Sequence, residues 1–266
     1  MSALVVIKLG GSLITHKRRH RTVRRAELSR IAGEVAALIR SSRCPVLLGH
    51  GSGSFGHVAA AQSGVHDGMA GPRAASGVSQ TQAAASELHA IVMSALRDAG
   101  VAAYSVAPSS AVVSRGPGLR PRVYLEPLLR ALDSGLLPVT YGDIVMDRQR
   151  GCSICSTEIA LLAFIRALRA SDRAVSDAVW LGDTDGILDG TGASVARVRL
   201  RDAGRVRRLV GGAAATDVTG GMRHRLETAL ALARIGVRSH LLDGRRRGIL
   251  RRVLRGAPVP GTLVER

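Results

Sequence analysis

The chain has 266 residues, of which 46% are hydrophobic and only 2% aromatic, and its formal net charge is +18. This composition excludes an intrinsically disordered protein and predicts a folded domain with an aliphatic core. No apolar run reaches the roughly 18–20 residues that span a bilayer, and residues 1–12 lack the features of a signal peptide, so we expect a cytoplasmic protein without a membrane partner.

Apolar runs alternate with helical periodicity along the chain, a pattern typical of a mainly parallel sheet with helices on both faces. The predicted strands are residues 4–9, 45–48, 101–106, 136–141, 174–181, 237–242 and 262–264, and residues 144–151 are predicted to form a hairpin. The predicted helices are residues 25–41, 77–99, 124–132, 156–169, 221–234 and 248–254. We therefore predict an open αβα sandwich with two lobes, residues 1–172 and 173–266.

The basic excess would ordinarily indicate a nucleic-acid partner or another anionic surface. However, 36 of the 38 basic residues are arginines, which resembles a genome-wide preference for arginine. Basic clusters such as residues 18–21 and 245–247 also lack interleaved aromatic side chains that stack on bases. We expect no nucleic-acid partner, and a basic nucleic-acid-binding protein is the non-enzymatic alternative.

The two lysines of the chain, Lys8 and Lys17, both lie in the stretch KLGGSLITHK. An ammonium is a compact point charge on a flexible stem, whereas a guanidinium is a broad planar fork. A site that places one charge between closely packed phosphate oxygens can therefore require lysine where the rest of the chain uses arginine.

Three glycine-rich segments follow predicted strands or precede predicted helices, at residues 10–12, 51–56 and 219–221. Glycine lets backbone amides approach phosphate oxygens, and ligands of open α/β sheets bind at the carboxyl ends of the strands. Residues 51–56 also match a dinucleotide fingerprint, but the nearest downstream carboxylate, Asp67, is not at a strand end. The pattern favours a polyphosphate site, and the P-loop motif is absent from the sequence.

The motifs KLGGS, HGSGSFGH, GDIV, LGDTDGIL and DVTGGM resemble the amino-acid-kinase superfamily along nearly the whole chain. The form HGSGSFGH, which ends at His57, and ITHK, which ends at Lys17, are similar to the isopentenyl phosphate kinase family. Fosfomycin kinases are related and share much of this pattern. The resemblance implies ATP-dependent phosphorylation of isopentenyl phosphate to isopentenyl diphosphate, with another phosphate or phosphonate such as fosfomycin as the alternative acceptor.

The resemblance also implies roles for individual residues. The implied catalytic residues are Lys8, Lys17 and His57. The implied ATP-binding residues are Lys8, Gly10, Gly11, Ser12, Ser52, Asp183, Thr184, Gly221 and Arg225, and the implied acceptor-binding residues are Gly51, Gly53, Gly56, His57, Gly142 and Asp143. The implied cofactors are ATP and Mg²⁺, with the ion held largely by phosphates and water and not by a protein metal site. A homodimer is implied as well.

Two positions depart from the family pattern. Arg225 stands where the family has a lysine, and it keeps the charge while adding a fork suited to phosphate. Glu158 stands near where many members have an aspartate that orients the active-site lysines. The alternatives at this position are that Glu158 replaces the aspartate with a longer arm or that another carboxylate does so.

A third hypothesis for the function of the protein is a nucleotide sensor that binds ATP without catalysing a reaction.

Overall fold

A mainly parallel sheet organises the computed structural model, which describes residues 2–16, 19–42, 44–56, 65, 68–69, 74–211 and 221–266. The strands are β1 (Leu4–Leu9), β2 (Val46–His50), β3 (Ala103–Ser105), β4 (Val112–Val113), β5 (Arg122–Val123), β6 (Leu137–Tyr141), β7 (Asp143–Asp147), β8 (Gly151–Cys155), β9 (Val175–Gly182), β10 (Arg197–Arg199), β11 (Arg238–Asp243) and β12 (Thr262–Glu265). The eight-stranded sheet has the order β10-β12-β11-β9-β1-β2-β6-β3, while β4–β5 and β7–β8 are separate antiparallel pairs. Within the sheet only β11–β12 is antiparallel among the described strands.

Helices cover both faces of this sheet. They are α1 (Gly11–Ile14), α2 (Arg25–Ser41), α3 (Ala74–Asp98), α4 (Pro108–Ala111), α5 (Glu126–Asp133), α6 (Thr157–Ala170), α7 (Ala203–Gly211), α8 (Gly221–Arg234) and α9 (Ile249–Leu254). One core cluster joins the sheet to α2, α3 and α9, and the other joins it to α6 and α8. No helix in the described part of the chain is long and apolar enough to cross a membrane.

The central strand β1 contributes side chains to both cores. Val5 and Ile7 belong to the core cluster with α2, α3 and α9, whereas Leu4 and Val6 belong to the cluster with α6 and α8. Because successive side chains of a strand point to opposite faces, Lys8 lies on the α6–α8 face. The alternation therefore directs the ammonium toward the amino end of α6.

The predicted αβα sandwich with a mainly parallel sheet is confirmed. The predicted segments 4–9, 25–41 and 221–234 coincide with β1, α2 and α8, and the other predicted helices and sheet strands differ from the observed ones by up to three residues at an end. The elements that the sequence did not indicate are short or arginine-rich, namely α1, α4, β4, β5, β10 and α7. The predicted lobe boundary at residue 172 falls between α6 and β9 and stays a prediction.

The apolar positions of α3 are core residues. Leu88 and Val92 are fully buried and Leu96 is 1% exposed, and all three pack in the cluster with α2 and β1. Ile91 is partly buried against the same cluster. The structure thus favours a core role for this helix face over a ligand-binding one.

Asp177 is a buried carboxylate that links β9 to β11. Arg238 Nη2 donates to it at 3.0 Å, and His240 Nε2 lies 2.9 Å from its second oxygen. Burial alone would raise the pKa of Asp177, but the hydrogen bonds from His240, Arg238 and Ser176 outweigh burial and hold the pKa at about 2. Since the folded-state pKa lies below the unfolded one, the carboxylate stabilises the fold at neutral pH, and this contribution is lost as the pH falls through about 2.

We expect Asp177→Asn to lower the free energy of unfolding at pH 7 by about 1–2 kcal/mol, because a charged, hydrogen-bonded partner of Arg238 is lost. The variant should also lose less stability than the wild type as the pH falls from about 4 to about 2. Urea unfolding at several pH values measures both quantities. Glu126→Gln, which removes an exposed ion pair with Arg130, is the control and should leave stability nearly unchanged; equal losses for the two variants would contradict the assignment.

Candidate active site

A buried ion pair between Lys8 and Glu158 lies at the centre of the site. Lys8 is near the carboxyl end of β1, between β2 and β9, and is 5% exposed. Its Nζ donates to Glu158 Oε1 at 2.7 Å. Glu158 occupies the first turn of α6, whose N-cap is Ser156. Each group supplies the counter-charge that the other needs, since an unpaired buried charge is strongly disfavoured.

Burial and neighbouring charges together shift the pKa of both members of this pair downward. Burial lowers the pKa of Lys8, Arg225 lowers it further, and Glu158 opposes both. Burial would raise the pKa of Glu158, but the charge and hydrogen bond of Lys8, together with Arg225, outweigh burial and lower it. Of the two alternatives left open by the sequence, the structure thus favours Glu158 as the carboxylate that pairs with Lys8.

Two glycine turns pack directly against each other beside this pair. We call residues 10–12 the first glycine turn and residues 51–56 the second. A Cβ placed on Gly11 would lie 2.6 Å from the Gly53 amide nitrogen, and one on Gly51 would lie 2.8 Å from the Gly11 nitrogen and 3.7 Å from Lys8 Nζ. Gly53 also has a positive φ of +49°, which favours glycine. The close approach of the two backbones therefore requires glycine at these positions.

Several amides of the turns are already engaged in joining strand ends. Gly10 donates to the Leu181 carbonyl at 2.7 Å, and Gly51 donates to the Leu9 carbonyl at 2.9 Å. Within the described residues, the amides of Ser52 and Gly53 have no backbone acceptor. The backbone amides of the second turn that remain available to a ligand are thus those of Ser52 and Gly53. Gly51 lacks a side chain, which allows the close approach of Gly11.

Arg225 covers the opposite side of the first turn. Its guanidinium packs against Gly182 and lies 3.6 Å from a Cβ placed on Gly10. Its Nε is buried and has no hydrogen-bond partner in the described part of the chain. Arg225 thus adds a second cation close to Lys8, at the position where the sequence predicted a substitute for lysine.

Gly142 and Asp143 lie at the carboxyl end of β6, beside the second turn. A Cβ on Gly142 would lie 3.6 Å from the Ser52 nitrogen. The Asp143 carboxylate is buried and accepts from the Ser109 amide at 3.0 Å and the Ile144 amide at 2.8 Å, and burial raises its pKa. Gly142 thus lies against the second turn, whereas Asp143 accepts hydrogen bonds from the backbone around it.

The predicted nucleotide-side residues lie at the carboxyl end of β9. Arg245 Nη2 donates to the Asp183 carbonyl at 3.0 Å, and Thr184 Oγ1 donates to the Gly186 carbonyl at 3.3 Å. Asp185 pairs with Arg246. This segment is therefore held by one ion pair and one hydrogen bond from arginines that follow β11.

The remaining predicted site residues have varied placements. Gly56 closes the second turn, where its amide donates to the Ser52 carbonyl at 3.3 Å. Ser12 lies in α1, and Gly221 begins α8. Lys17, His57 and residues 219–220 lie outside the described residues.

Sequence reasoning missed two buried histidines, His50 and His89. His50 directly precedes the second glycine turn, and His50 Nε2 lies 3.0 Å from His89 Nδ1 of α3. The position of His50 at a strand end, one residue before a glycine turn, was the available signal. The sequence around His89 carries no such signal, because His89 approaches His50 only through the packing of α3 on β2 and β6.

The pattern of the amino acid kinase family matches residues 3–243, so the chain belongs to the amino acid kinase family. The chain is 32% identical to isopentenyl phosphate kinase of Methanothermobacter thermautotrophicus, with 98% of each chain covered. It is 37% identical to isopentenyl phosphate kinase of Haloferax volcanii, over 86% of this chain and 88% of that protein. A solved isopentenyl phosphate kinase structure, 26% identical, superposes with a TM-score of 0.79 over 98% of this chain and 99% of the other. Within the larger family, the chain therefore falls among the isopentenyl phosphate kinases.

We expect Gly11→Ala to reduce turnover by at least about a hundredfold, because its methyl group would push the two glycine turns apart and misplace their amides. Steady-state kinetics and a thermal melt measure the change. Gly33→Ala is the matched control: Gly33 lies within α2, and a Cβ there meets nothing within 4 Å. That control should keep full activity and gain about 0.5–1 kcal/mol of stability. Full activity in Gly11→Ala would contradict the interlocked turns.

We expect Glu158→Gln to lower kcat and to move the alkaline limb of the pH–kcat profile to lower pH. The carboxylate raises the pKa of Lys8 against burial and Arg225, so its removal lets the ammonium lose its proton earlier. Glu227→Gln, which removes a half-exposed pair with Arg207, is the control and should leave the profile in place. An unchanged alkaline limb in Glu158→Gln would exclude this role.

Proposed function

We propose that the protein transfers the γ-phosphoryl group of ATP to isopentenyl phosphate and forms isopentenyl diphosphate and ADP. The observation that carries this proposal is the buried Lys8 ammonium beside two glycine turns that pack against each other. The relatives that share the full length of the chain are isopentenyl phosphate kinases, which supports the same acceptor here.

The reaction requires charge neutralisation more than acid–base chemistry. An oxygen of the acceptor phosphate attacks the γ-phosphorus, a new P–O bond forms, and the bond to the β–γ bridging oxygen breaks as ADP leaves. A phosphate oxygen is already nucleophilic at neutral pH, so no general base is needed. The protein must instead hold two mutually repelling anions in line.

In this proposal the first glycine turn and Arg225 face the ATP phosphates, and the amides of Ser52 and Gly53 lie between donor and acceptor. Lys8 compensates the charge of the transferring group, while Glu158 keeps it ionised and oriented. Lys17 stabilises the same group, and His57 donates to the acceptor phosphate. These last two roles rest on the sequence motifs.

ATP is the proposed donor, with Mg²⁺ as its counter-ion. The described residues include no group of three histidine, cysteine, aspartate or glutamate side chains that could hold a metal ion. In this proposal the ion is coordinated mainly by phosphate oxygens and water, as is usual for Mg²⁺. When bound, the ion supplies positive charge to the phosphates, and no described carboxylate cluster is assigned to it.

We also propose that the enzyme is a homodimer that acts in the cytoplasm, where ATP is available. The family resemblance supports the dimer. Sedimentation equilibrium measures the mass directly, and a mass near the 27.8 kDa of one chain would reject it.

An ADP-release assay over isopentenyl, dimethylallyl and geranyl phosphates, fosfomycin and acetylglutamate tests the proposal. We expect the highest kcat/KM with isopentenyl phosphate, and product identified by phosphorus NMR as a diphosphate. Turnover of fosfomycin alone would reassign the acceptor, and salt-sensitive nucleic-acid binding without ATP turnover would support the non-enzymatic alternative.

We expect Lys8→Arg to lose most of this activity although it keeps the charge, because the planar guanidinium does not fit the space that one ammonium occupies between Glu158 and the glycine turns. Kinetics with isopentenyl phosphate measure the loss. The exposed substitution Arg130→Lys is the matched control, and it should be fully active. A fully active Lys8→Arg enzyme would contradict the role of Lys8.

A further inference from the structure

A chain of hydrogen bonds runs from the edge of the sheet to the second glycine turn. His50 Nδ1 lies 3.2 Å from the Gly51 carbonyl oxygen, and His50 Nε2 lies 3.0 Å from His89 Nδ1. His89 Nε2 in turn lies 2.8 Å from Ser105 Oγ on β3. We call Ser105, His89 and His50 the imidazole chain. None of these residues has a place in the proposed chemistry described above.

The direction of each hydrogen bond follows from the groups involved. A carbonyl oxygen only accepts, so His50 Nδ1 must carry the proton that it shares with Gly51. Neutral His50 then accepts at Nε2 from His89 Nδ1–H, and His89 accepts at Nε2 from the Ser105 hydroxyl. Burial lowers the pKa of His50 to about 3 and that of His89 to about 4, which keeps both rings neutral and the direction of the chain fixed.

Stacking holds the rings of the imidazole chain in place. His50 and Tyr141 are paired across β2 and β6, with ring centroids 5.7 Å apart. His89 stacks on Tyr141 at 4.1 Å and on His50 at 5.3 Å. His50 is fully buried, and His89 is 7% exposed. In a chain with so few aromatic residues, three stacked rings next to the site form a rigid support for the second turn.

The imidazole chain acts on one peptide group that the strand ends leave otherwise unrestrained. The preceding peptide is held on both sides: the His50 carbonyl accepts from Thr157 Oγ1 at 2.7 Å and from the Gly142 amide at 3.2 Å, and the Gly51 amide donates to Leu9. For the next peptide, between Gly51 and Ser52, His50 Nδ1 is the one hydrogen-bond partner of the carbonyl within the described residues.

We propose that His50 and His89 are positioning residues, which fix the Gly51–Ser52 peptide plane so that the Ser52 amide faces the phosphate cleft. In a trans peptide the C=O and N–H groups point in opposite directions. Because the Gly51 carbonyl faces the buried imidazole, the Ser52 N–H faces away from it, and Gly142 lies near the Ser52 nitrogen. A flipped peptide would present a carbonyl oxygen to the phosphates and repel them.

The kinetic test of this positioning role rests on the proposed function, because it measures turnover of isopentenyl phosphate. The spectroscopic test does not depend on that function. Nitrogen-15 NMR of histidine-labelled protein at pH 7 reports which ring nitrogen carries the proton. We expect Nδ1–H tautomers for both His50 and His89, with signals assigned from the spectra of the substituted proteins. An Nε2–H tautomer at His50 overturns the proposal, whether or not the enzyme uses isopentenyl phosphate.

The kinetic test compares substitutions along the imidazole chain. Turnover of isopentenyl phosphate by the wild type is measured first. If the wild type shows no turnover, the proposed function is rejected, but the tautomer result still tests the positioning role. We expect kcat to fall about a hundredfold in His50→Leu, about tenfold in His89→Leu and about twofold in Ser105→Ala. His50→Asn places a carboxamide N–H where imidazole Nδ1–H was, so it should recover at least about tenfold over His50→Leu.

Val35→Ala is the matched control for destabilisation. Val35 is fully buried on α2, in the same core cluster as α3. Its apolar side chain forms no hydrogen bond with the imidazole chain. This variant should melt earlier than the wild type and keep its kcat. Wild-type kcat in His50→Leu, or equal losses in His50→Leu and His50→Asn, would overturn the proposal. If His50→Leu does not fold, Ser105→Ala and the tautomer spectrum decide it.

Discussion

A buried ammonium cannot persist without a counter-charge, and at Lys8 this requirement determines where other parts of the fold lie. The side chain leaves β1 on the face covered by α6, and the first turn of that helix brings Glu158 within 2.7 Å. The helix must therefore begin at the carboxyl edge of the sheet, next to the glycine turns. The glycine turns and the start of α6 are in this way arranged around one buried lysine whose counter-charge the fold itself supplies.

The net charge differs between the Lys8–Glu158 pair and the neighbouring Arg225. At Lys8 and Glu158 the charges cancel, while Arg225 adds a cation whose Nε has no partner in the described part of the chain. In the proposed function, phosphate groups there would meet a net positive field and a set of amides, which is the combination that stabilises charge during phosphoryl transfer. The buried rings of His50, His89 and Tyr141 stack on one another next to the second turn.

Much of the fold was predictable because its signals are local. β1, α2 and α8 were predicted to the residue from periodicity, and the edge of the sheet where glycine turns gather follows from parallel strands alone. The contact between Lys8 and Glu158 joins positions 150 residues apart, and single-chain patterns do not report such distances. His89 was missed for the same reason, since nothing in α3 itself distinguishes it from the core residues around it.

Short and edge elements were harder to predict for a different physical reason. β10 has three residues and gains its stability from pairing with β12, and the arginine-rich sequence of α7 hides its apolar positions among charges. Such segments depend on their neighbours for their conformation, so their own sequences carry little of the information.

The central position of β1 has a consequence for how the protein could be divided. All strands on one side of β1 come from later in the chain than residue 172, and all strands on its other side come from earlier. A break in the loop between α6 and β9 would leave the first fragment with β1 as a bare, apolar edge that invites pairing with other chains. The two fragments would be expected to aggregate when made alone and to assemble when made together, with β1 as the seam that joins them.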